Sequence, residues 1–538
     1  MDINYDNNII SLNKIANEKE KEEFKRAGPS ELALSLRKKK INQIIEKNRI
    51  TKIKNTSQIV FGNNELKKLS DLSTLLYEEK NIDKIIEILD QLYFFLLNFN
   101  EPIKTNYIDI SNIIQHLYTV MIKFKNVEII ISKSFDAFEQ IIRLTPSNEP
   151  DKYCRIFNEQ YSQILYELID YYQNNKKIAE KIFNFLTILI QKSDKLKEYL
   201  MTNTGFYFIQ TVFSLDTKYP LPFIKLLSSF CSLNEINDKN MKEFQIMFLE
   251  KCDKIISFFY QENHQEPKNI INNSFLFHHL YKCLSYISQS INNEIIDGFF
   301  ITKKNDVSLY EKILTLSKFD KDNLSNDLLI ITGNLYCSSE PNHIQILIEC
   351  QSYKYVMDIL LQQYNNNNDI IKNAAWVLSN FVNIEEYRKI FIKQNYINNL
   401  IILIRKNFNF EVRSELLSVI ANLLSSVNEI EIYSFIESDL VGCCIELLIN
   451  LKEPNLLQRV LNIIQLLLYK GDPNIYLDCY YKDSDDKITN IYKYQFDYYG
   501  LETILNNIAS NSKNKNVYEI AQMIIEHYYY DENKIITD

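Results

Sequence analysis

The chain has 538 residues but only 8 glycines and 10 prolines. That is too little turn chemistry for a many-stranded protein, so barrels and sandwiches are excluded. Cys-x-x-Cys is absent from the nine cysteines, an odd and scattered set in which Cys443-Cys444 is the only close pair. This excludes a disulfide framework and a zinc ribbon, and the cysteines read as small core residues in a reducing compartment. There is no Gly-rich phosphate loop, no Gly-x-Ser-x-Gly and no His-Glu-x-x-His, which removes the common enzyme classes. His278, His279 and Cys283 fall close together but are three, and zinc needs four ligands. The N-terminus lacks a basic-then-apolar leader, and no apolar run of 18 residues is free of charge. A net charge of −9 argues against a surface that neutralises nucleic-acid phosphates. The expectation is a soluble intracellular protein that is no enzyme, with no catalytic residues, cofactor or metal, and with no nucleic-acid or membrane partner.

What is present is helical periodicity. Along residues 370–383 the apolar positions Ile371, Ala374, Ala375, Leu378, Phe381 and Val382 recur at i, i+3, i+4 and i+7, the pattern of a helix packed on one face. Trp376, the only tryptophan, precedes Asn380 by four residues, so the two share a face at the edge of that stripe. An asparagine in a similar frame stands 46 residues earlier, Asn334, and another 42 residues later, Asn422. Recurrence at roughly 40 to 47 residues in an all-helical chain is the mark of armadillo or HEAT repeats, each of which buries its apolar face against its neighbours. Helical patterns run from about residue 57 to 530, with breaks at 145–148, 217–220, 262–267, 305–306, 365–369 and 470–474.

Charge is uneven. Residues 24–54 hold ten Lys or Arg against Glu31 and Glu46, a net of +8 that leaves −17 for the rest. A basic arm on an acidic body can bind that body and be exchanged for another basic segment. Residues 1–23 are polar and read as disordered.

The run Ala374-Ala375-Trp376-Val377-Leu378-Ser379-Asn380 resembles the importin-α family, in which the third helix of successive armadillo repeats carries a Trp-x-x-x-Asn pair facing a concave groove. Two other stretches carry the same resemblance. Tyr499 to Ile504 with Asn516 to Tyr529 looks like that family's last repeat, and Arg37, Lys38, Lys39 and Lys40 followed by Lys47 and Arg49 look like its importin-β-binding segment. The resemblance implies an all-α, right-handed superhelical armadillo solenoid over residues 57–538, preceded by a mostly disordered basic arm over 1–56. It also implies a nuclear import adaptor that shuttles between cytoplasm and nucleus. Its partners would be importin-β, cargo with basic nuclear-localisation signals, and an export receptor with Ran-GTP.

The peptide-binding set implied is Asn334, Trp376, Asn380, Glu415 and Asn422. Carboxamides hold an extended peptide's backbone, an indole face attracts a Lys or Arg stem by about 0.5–2 kcal/mol, and a carboxylate rejects acidic peptides. The chain also departs from the family. Early slots read Phe183 to Thr187 and Lys225 to Ser229 with Gln191 where an acid would fall, and Lys282 takes a tryptophan slot. In the later slots Ile330 stands for arginine, Ser418 for tryptophan and Asn373 for glutamate. The alternative reading is therefore a non-catalytic armadillo scaffold for one dedicated protein partner, its cargo grooves degenerate.

Overall fold

The computed structural model describes residues 63–98, 110–144 and 159–530, the last span with several connecting stretches excepted. The basic arm, Arg37 to Lys40 with Lys47 and Arg49, lies outside the described residues, as does the boundary expected at residues 56 and 57. Two compact units are formed, Met1–Lys152 and Tyr153–Asp538.

In the first unit, α1 (Asn63–Glu78) and α2 (Ile82–Leu97) make one helical hairpin and α3 (Ile110–Lys123) and α4 (Glu128–Leu144) another. α1 packs on α3 and α2 on α4, burying Leu76, Leu89, Leu117, Phe135 and Phe138. The polar ties join residues 43 to 47 apart: Lys133 pairs with Asp90, His116 Nδ1 meets Ser73 Oγ at 2.9 Å, and Arg143 donates to the Leu96 carbonyl.

The second unit begins with α5 (Glu159–Tyr172) and α6 (Lys176–Lys192), then α7 (Pro220–Cys231), α8 (Lys239–Glu262) and α9 (Ser274–Ile287). From α10 (Asn293–Asp297) onward the plan is regular, a short helix, a middle helix and a long one. α10 is followed by α11 (Leu309–Ser317) and α12 (Lys321–Leu335), and next come α13 (Pro341–Glu349), α14 (Ser352–Gln362) and α15 (Asn368–Phe381). Two more sets follow, α16 (Glu385–Lys393), α17 (Tyr396–Arg405), α18 (Phe410–Ser426) and then α19 (Tyr433–Ile436), α20 (Leu440–Asn450), α21 (Pro454–Lys470). The last is α22 (Ile491–Tyr498), α23 (Leu501–Asn511) and α24 (Lys515–Tyr528). The long helices form one row in which α6, α7, α9, α12, α15, α18, α21 and α24 each pack on the next. A three-helix unit that recurs at this interval is the armadillo repeat, and the all-α solenoid read from the sequence is what the chain adopts.

Why these segments are helices is visible at their starts. Asn81, Asn175, Asn292, Asn367, Asn409, Asn490 and Asn514 all sit at N-caps, their side-chain oxygens accepting amide protons of the first turn. Such a cap is worth about 0.5–2 kcal/mol. The abundance of asparagine, which looks like compositional bias in the sequence, here has a structural use. The turn from short to middle helix recurs with a left-handed residue, Gln351, Asn395 and Gly500, because the chain must reverse within one residue.

One addition to the all-α reading is a two-stranded antiparallel hairpin, β1 (Tyr480–Lys482) with β2 (Ile488–Asn490). Its successive residues Tyr480-Tyr481 and Ile488-Thr489 favour strand, but it is too short to have stood out from the helical periods around it. All six described cysteines are free; Cys252, Cys283, Cys443 and Cys444 are core as expected, whereas Cys337 and Cys350 are only half-buried.

Polar ties between repeats are buried too. Arg388 of α16 donates to Glu431 Oε2 at 3.0 Å across one repeat, both side chains being nearly inaccessible, and Glu431 closes a reciprocal turn with Asn428. Removing one member of a buried pair strands the other charge. Arg388→Met should therefore cost about 3–5 kcal/mol, seen as an earlier denaturant midpoint, while Arg388→Met with Glu431→Leu should lose less than the single change. A double variant weaker than Arg388→Met would show that the pair itself, not the stranded carboxylate, sets the cost.

Candidate functional site

α15 shows how the fold presents side chains. Asn367 Oδ1 accepts from Asp369 N and Ile370 N, Asp369 adds negative charge to the first turn, and Ile371, Ala374, Ala375, Val377, Leu378 and Phe381 are fully buried against α12, α14 and α18. Trp376 and Asn380 remain half-exposed at the edge of that face. The same frame, two buried residues followed by an open one, recurs along the row. Leu328 and Leu329 precede Ile330 on α12, Leu416 and Leu417 precede Ser418 on α18, and Val460 and Leu461 precede Asn462 on α21. Four residues later stand Asn334, Asn380, Asn422 and Leu466.

Each asparagine reaches back to the preceding long helix or, for Asn334, to the residue that caps its C-terminus. Asn380 Nδ2 donates to the Gly333 carbonyl at 3.2 Å and Asn422 Nδ2 to the Ser379 carbonyl at 2.8 Å. Asn334 Nδ2 donates to Ser288 Oγ at 2.9 Å. The carboxamides are thus not wholly open, as the sequence reading had them; one N–H of each ties two repeats together. Asn380 and Asn422 keep the second N–H and the Oδ1 without a partner among the described residues. Asn334 differs, being only 9% exposed, and the burial that satisfies it takes it away from a ligand.

Trp376 lies across Gly333 of α12 so closely that a β-carbon there would overlap its six-membered ring. Glycine is what lets the indole come this close to the neighbouring helix. Asn373, standing for the family's glutamate, donates to Asn326 Oδ1 at 2.7 Å and so joins the same two helices. Glu415 is half-exposed one turn before Ser418. At Ser418, which replaces a tryptophan, the structure places a residue that sequence reasoning missed: exposed Arg459 of α21 reaches 41 residues back and donates to Ser418 Oγ at 2.6 Å. Its signal was the repeat interval itself, since Arg459 falls one repeat beyond Ser418.

The early slots are closed by their own backbones. Thr187 is buried and bonded to the Phe183 carbonyl, and Ser229 is bonded to the Lys225 carbonyl. His278 faces Asp327 of α12 at 3.8 Å, and among the described residues no group of three or more His, Cys, Asp or Glu side chains is placed to hold a metal ion. No described helix is long and apolar enough to cross a membrane.

The Gly333 contact gives a direct optical test, because Trp376 is the sole tryptophan. Gly333→Ala should push the indole off α12, cost about 1–3 kcal/mol of overpacking and shift its emission to longer wavelength, with far-UV dichroism unchanged. Unshifted emission would mean that the ring does not rest there.

Comparison with known proteins bears on the fold. No protein-family model and no curated protein matches this sequence. Among solved structures, an engineered protein from the Northeast Structural Genomics Consortium is similar at 12% identity, covering 86% of this chain and 98% of its own, with a TM-score of 0.58. A structure reported for a phosphorylation switch that controls the interaction between cadherin and beta-catenin is similar at 12% identity, covering 85% of each chain, with a TM-score of 0.51. These likenesses bear on the fold alone, which with the three-helix period is that of an armadillo-repeat solenoid.

Proposed function

We propose that this chain is a non-catalytic armadillo adaptor of the importin-α kind, which holds an extended basic segment across α12, α15 and α18. The observation that carries this is the adjacency of the half-exposed Trp376 to two carboxamides, Asn380 and Asn422, whose remaining donor and acceptor are unpartnered among the described residues, with half-exposed Glu415 on α18, the helix that carries Asn422. Donor plus acceptor is what an extended peptide backbone needs, and an indole face beside a carboxylate selects a Lys or Arg stem. In this reading Arg37 to Lys40, Lys47 and Arg49 engage importin-β, cargo bears a basic nuclear-localisation signal, and the protein shuttles between cytoplasm and nucleus with an export receptor and Ran-GTP. A single indole pocket gives weak binding, roughly micromolar.

A second reading, a scaffold for one dedicated protein partner, is favoured by a different observation. Lys225 and Lys282 occupy the early slots, and Arg459 stands over Ser418, so cations meet a basic peptide on both sides of Trp376. The two readings part on one titration. A basic bipartite peptide, followed by Trp376 fluorescence and by anisotropy, should bind the full chain. Trp376→Ala with Asn380→Ala should weaken it at least roughly tenfold, and Arg459→Ala should tighten it severalfold. Arg37, Lys38, Lys39 and Lys40 all changed to Ala should weaken importin-β at least roughly tenfold. Loss of both interactions in the unmodified chain would leave the scaffold.

A further inference from the structure

The row of long helices changes its chemistry along one line. In the frame that holds Trp376 on α15 and Ile330 on α12, the two preceding helices hold Lys282 on α9 and Lys225 on α7. Lys282 is exposed and Lys225 half-exposed, and neither makes an ion pair among the described residues. Lys225 Nζ lies 4.9 Å from the ring centre of Phe275, which is 57% exposed, and Phe275 in turn stands edge-on to His279 at 4.9 Å. His278 completes the cluster, 5.8 Å from His279. Among the described residues two acids lie against it: Asp327 of α12, buried beneath near His278 and Lys282 with its carboxyl held above the usual range by that burial, and Asp320 at the start of α12, which accepts from Ser274 Oγ.

Two ammonium groups thus stand on this face without an ion-pair partner among the described residues, on a chain of net charge −9. Both ring nitrogens of His279 are buried without a hydrogen-bond partner, and burial first, then His278, Lys225 and Lys282, hold the imidazole down to about 4. Negative charge brought near such an imidazole raises the pH at which it takes up a proton.

We propose that the α7–α9 face is a second docking site, for an acidic segment of a partner protein: an extended stretch carrying several Asp or Glu, whose carboxylates pair with Lys225 and Lys282 and whose central aromatic or aliphatic residue lies on Phe275. Two lysines on successive helices of one row match carboxylates spaced along an extended chain, and the exposed ring beside Lys225 supplies an apolar anchor. Neither Asp327 nor Asp320 forms an ion pair with Lys225 or Lys282, so both ammonium groups are left for a ligand. The site does not rest on Trp376, and it goes beyond the basic-peptide reading above.

The test uses the full chain and a fluorescent Glu-Asp-Glu-Phe-Glu-Asp-Glu peptide, with a Lys-for-acid counterpart and a single-stranded oligothymidylate as the other probes. The acidic peptide should bind at low salt and weaken as salt rises. Lys225→Glu with Lys282→Glu should reduce its affinity at least roughly tenfold, and Lys225→Gln with Lys282→Gln by less. Both double variants should retain far-UV dichroism, since neither lysine is buried. In 13C-histidine spectra, with the resonance assigned by His279→Gln, the His279 titration midpoint should rise when the acidic peptide is bound. Binding of the basic peptide should survive both double variants, so loss of the acidic site and failure at Trp376 are told apart. Absence of acidic-peptide binding, equal binding by Lys225→Glu with Lys282→Glu, an unmoved His279 midpoint, or preference for the oligonucleotide would each overturn the proposal.

Discussion

The structure of the second unit depends on one constraint: a long helix cannot bury its whole apolar face within its own repeat and needs the long helices of the repeats on either side. On α15 the inward residues from Ile371 to Phe381 meet α14 of the same repeat, and the face is completed by α12 and α18. Each large apolar side chain so buried contributes about 1.5–3 kcal/mol, and an isolated repeat forgoes the part that its neighbours supply. Cooperation between neighbours is therefore a condition of folding, and the row of long helices follows from it.

Apolar packing sets that the repeats stack but only loosely sets their register, and the polar ties fix it. Tyr387 donates to the Ile344 carbonyl, Arg388 to Glu431, Lys470 to the Val427 carbonyl and Asn422 to the Ser379 carbonyl, each spanning 43 residues. A buried donor must find its partner or lose about 1–3 kcal/mol, so a slip of one residue is penalised at every tie. The asparagines of the candidate site belong to this set. Half of each exposed carboxamide holds two helices together, and the other half is what a ligand meets. Binding there and repeat register are consequently coupled through the same side chains.

Much of this was legible beforehand. The 42- to 46-residue recurrence gave the repeat, the i, i+3, i+4 spacing gave the buried face of α15, and Trp376 with Asn380 came out on its edge as read. Other features were not legible. Asn334 shares the frame of Asn380 and Asn422, yet it is buried against Ser288, because the depth of a side chain at a helix edge depends on how closely the next helix approaches. Arg459 over Ser418 was missed for the same reason: a contact 41 residues away is a property of packing distance and not of either segment. The hairpin at Tyr480–Lys482 and Ile488–Asn490 escaped because three-residue strands carry too little pattern to register.

The sequence by itself determined that the chain is helical and repetitive, since those follow from local periodicity and propensity. Only the tertiary structure decided which groups are left for a ligand. Whether a carboxamide is occupied, whether Gly333 lets an indole approach its helix, and whether Lys225, His279 and Lys282 feel one another depend on distances between helices. Those distances are set by the whole buried surface between neighbouring repeats, which no local stretch of sequence encodes.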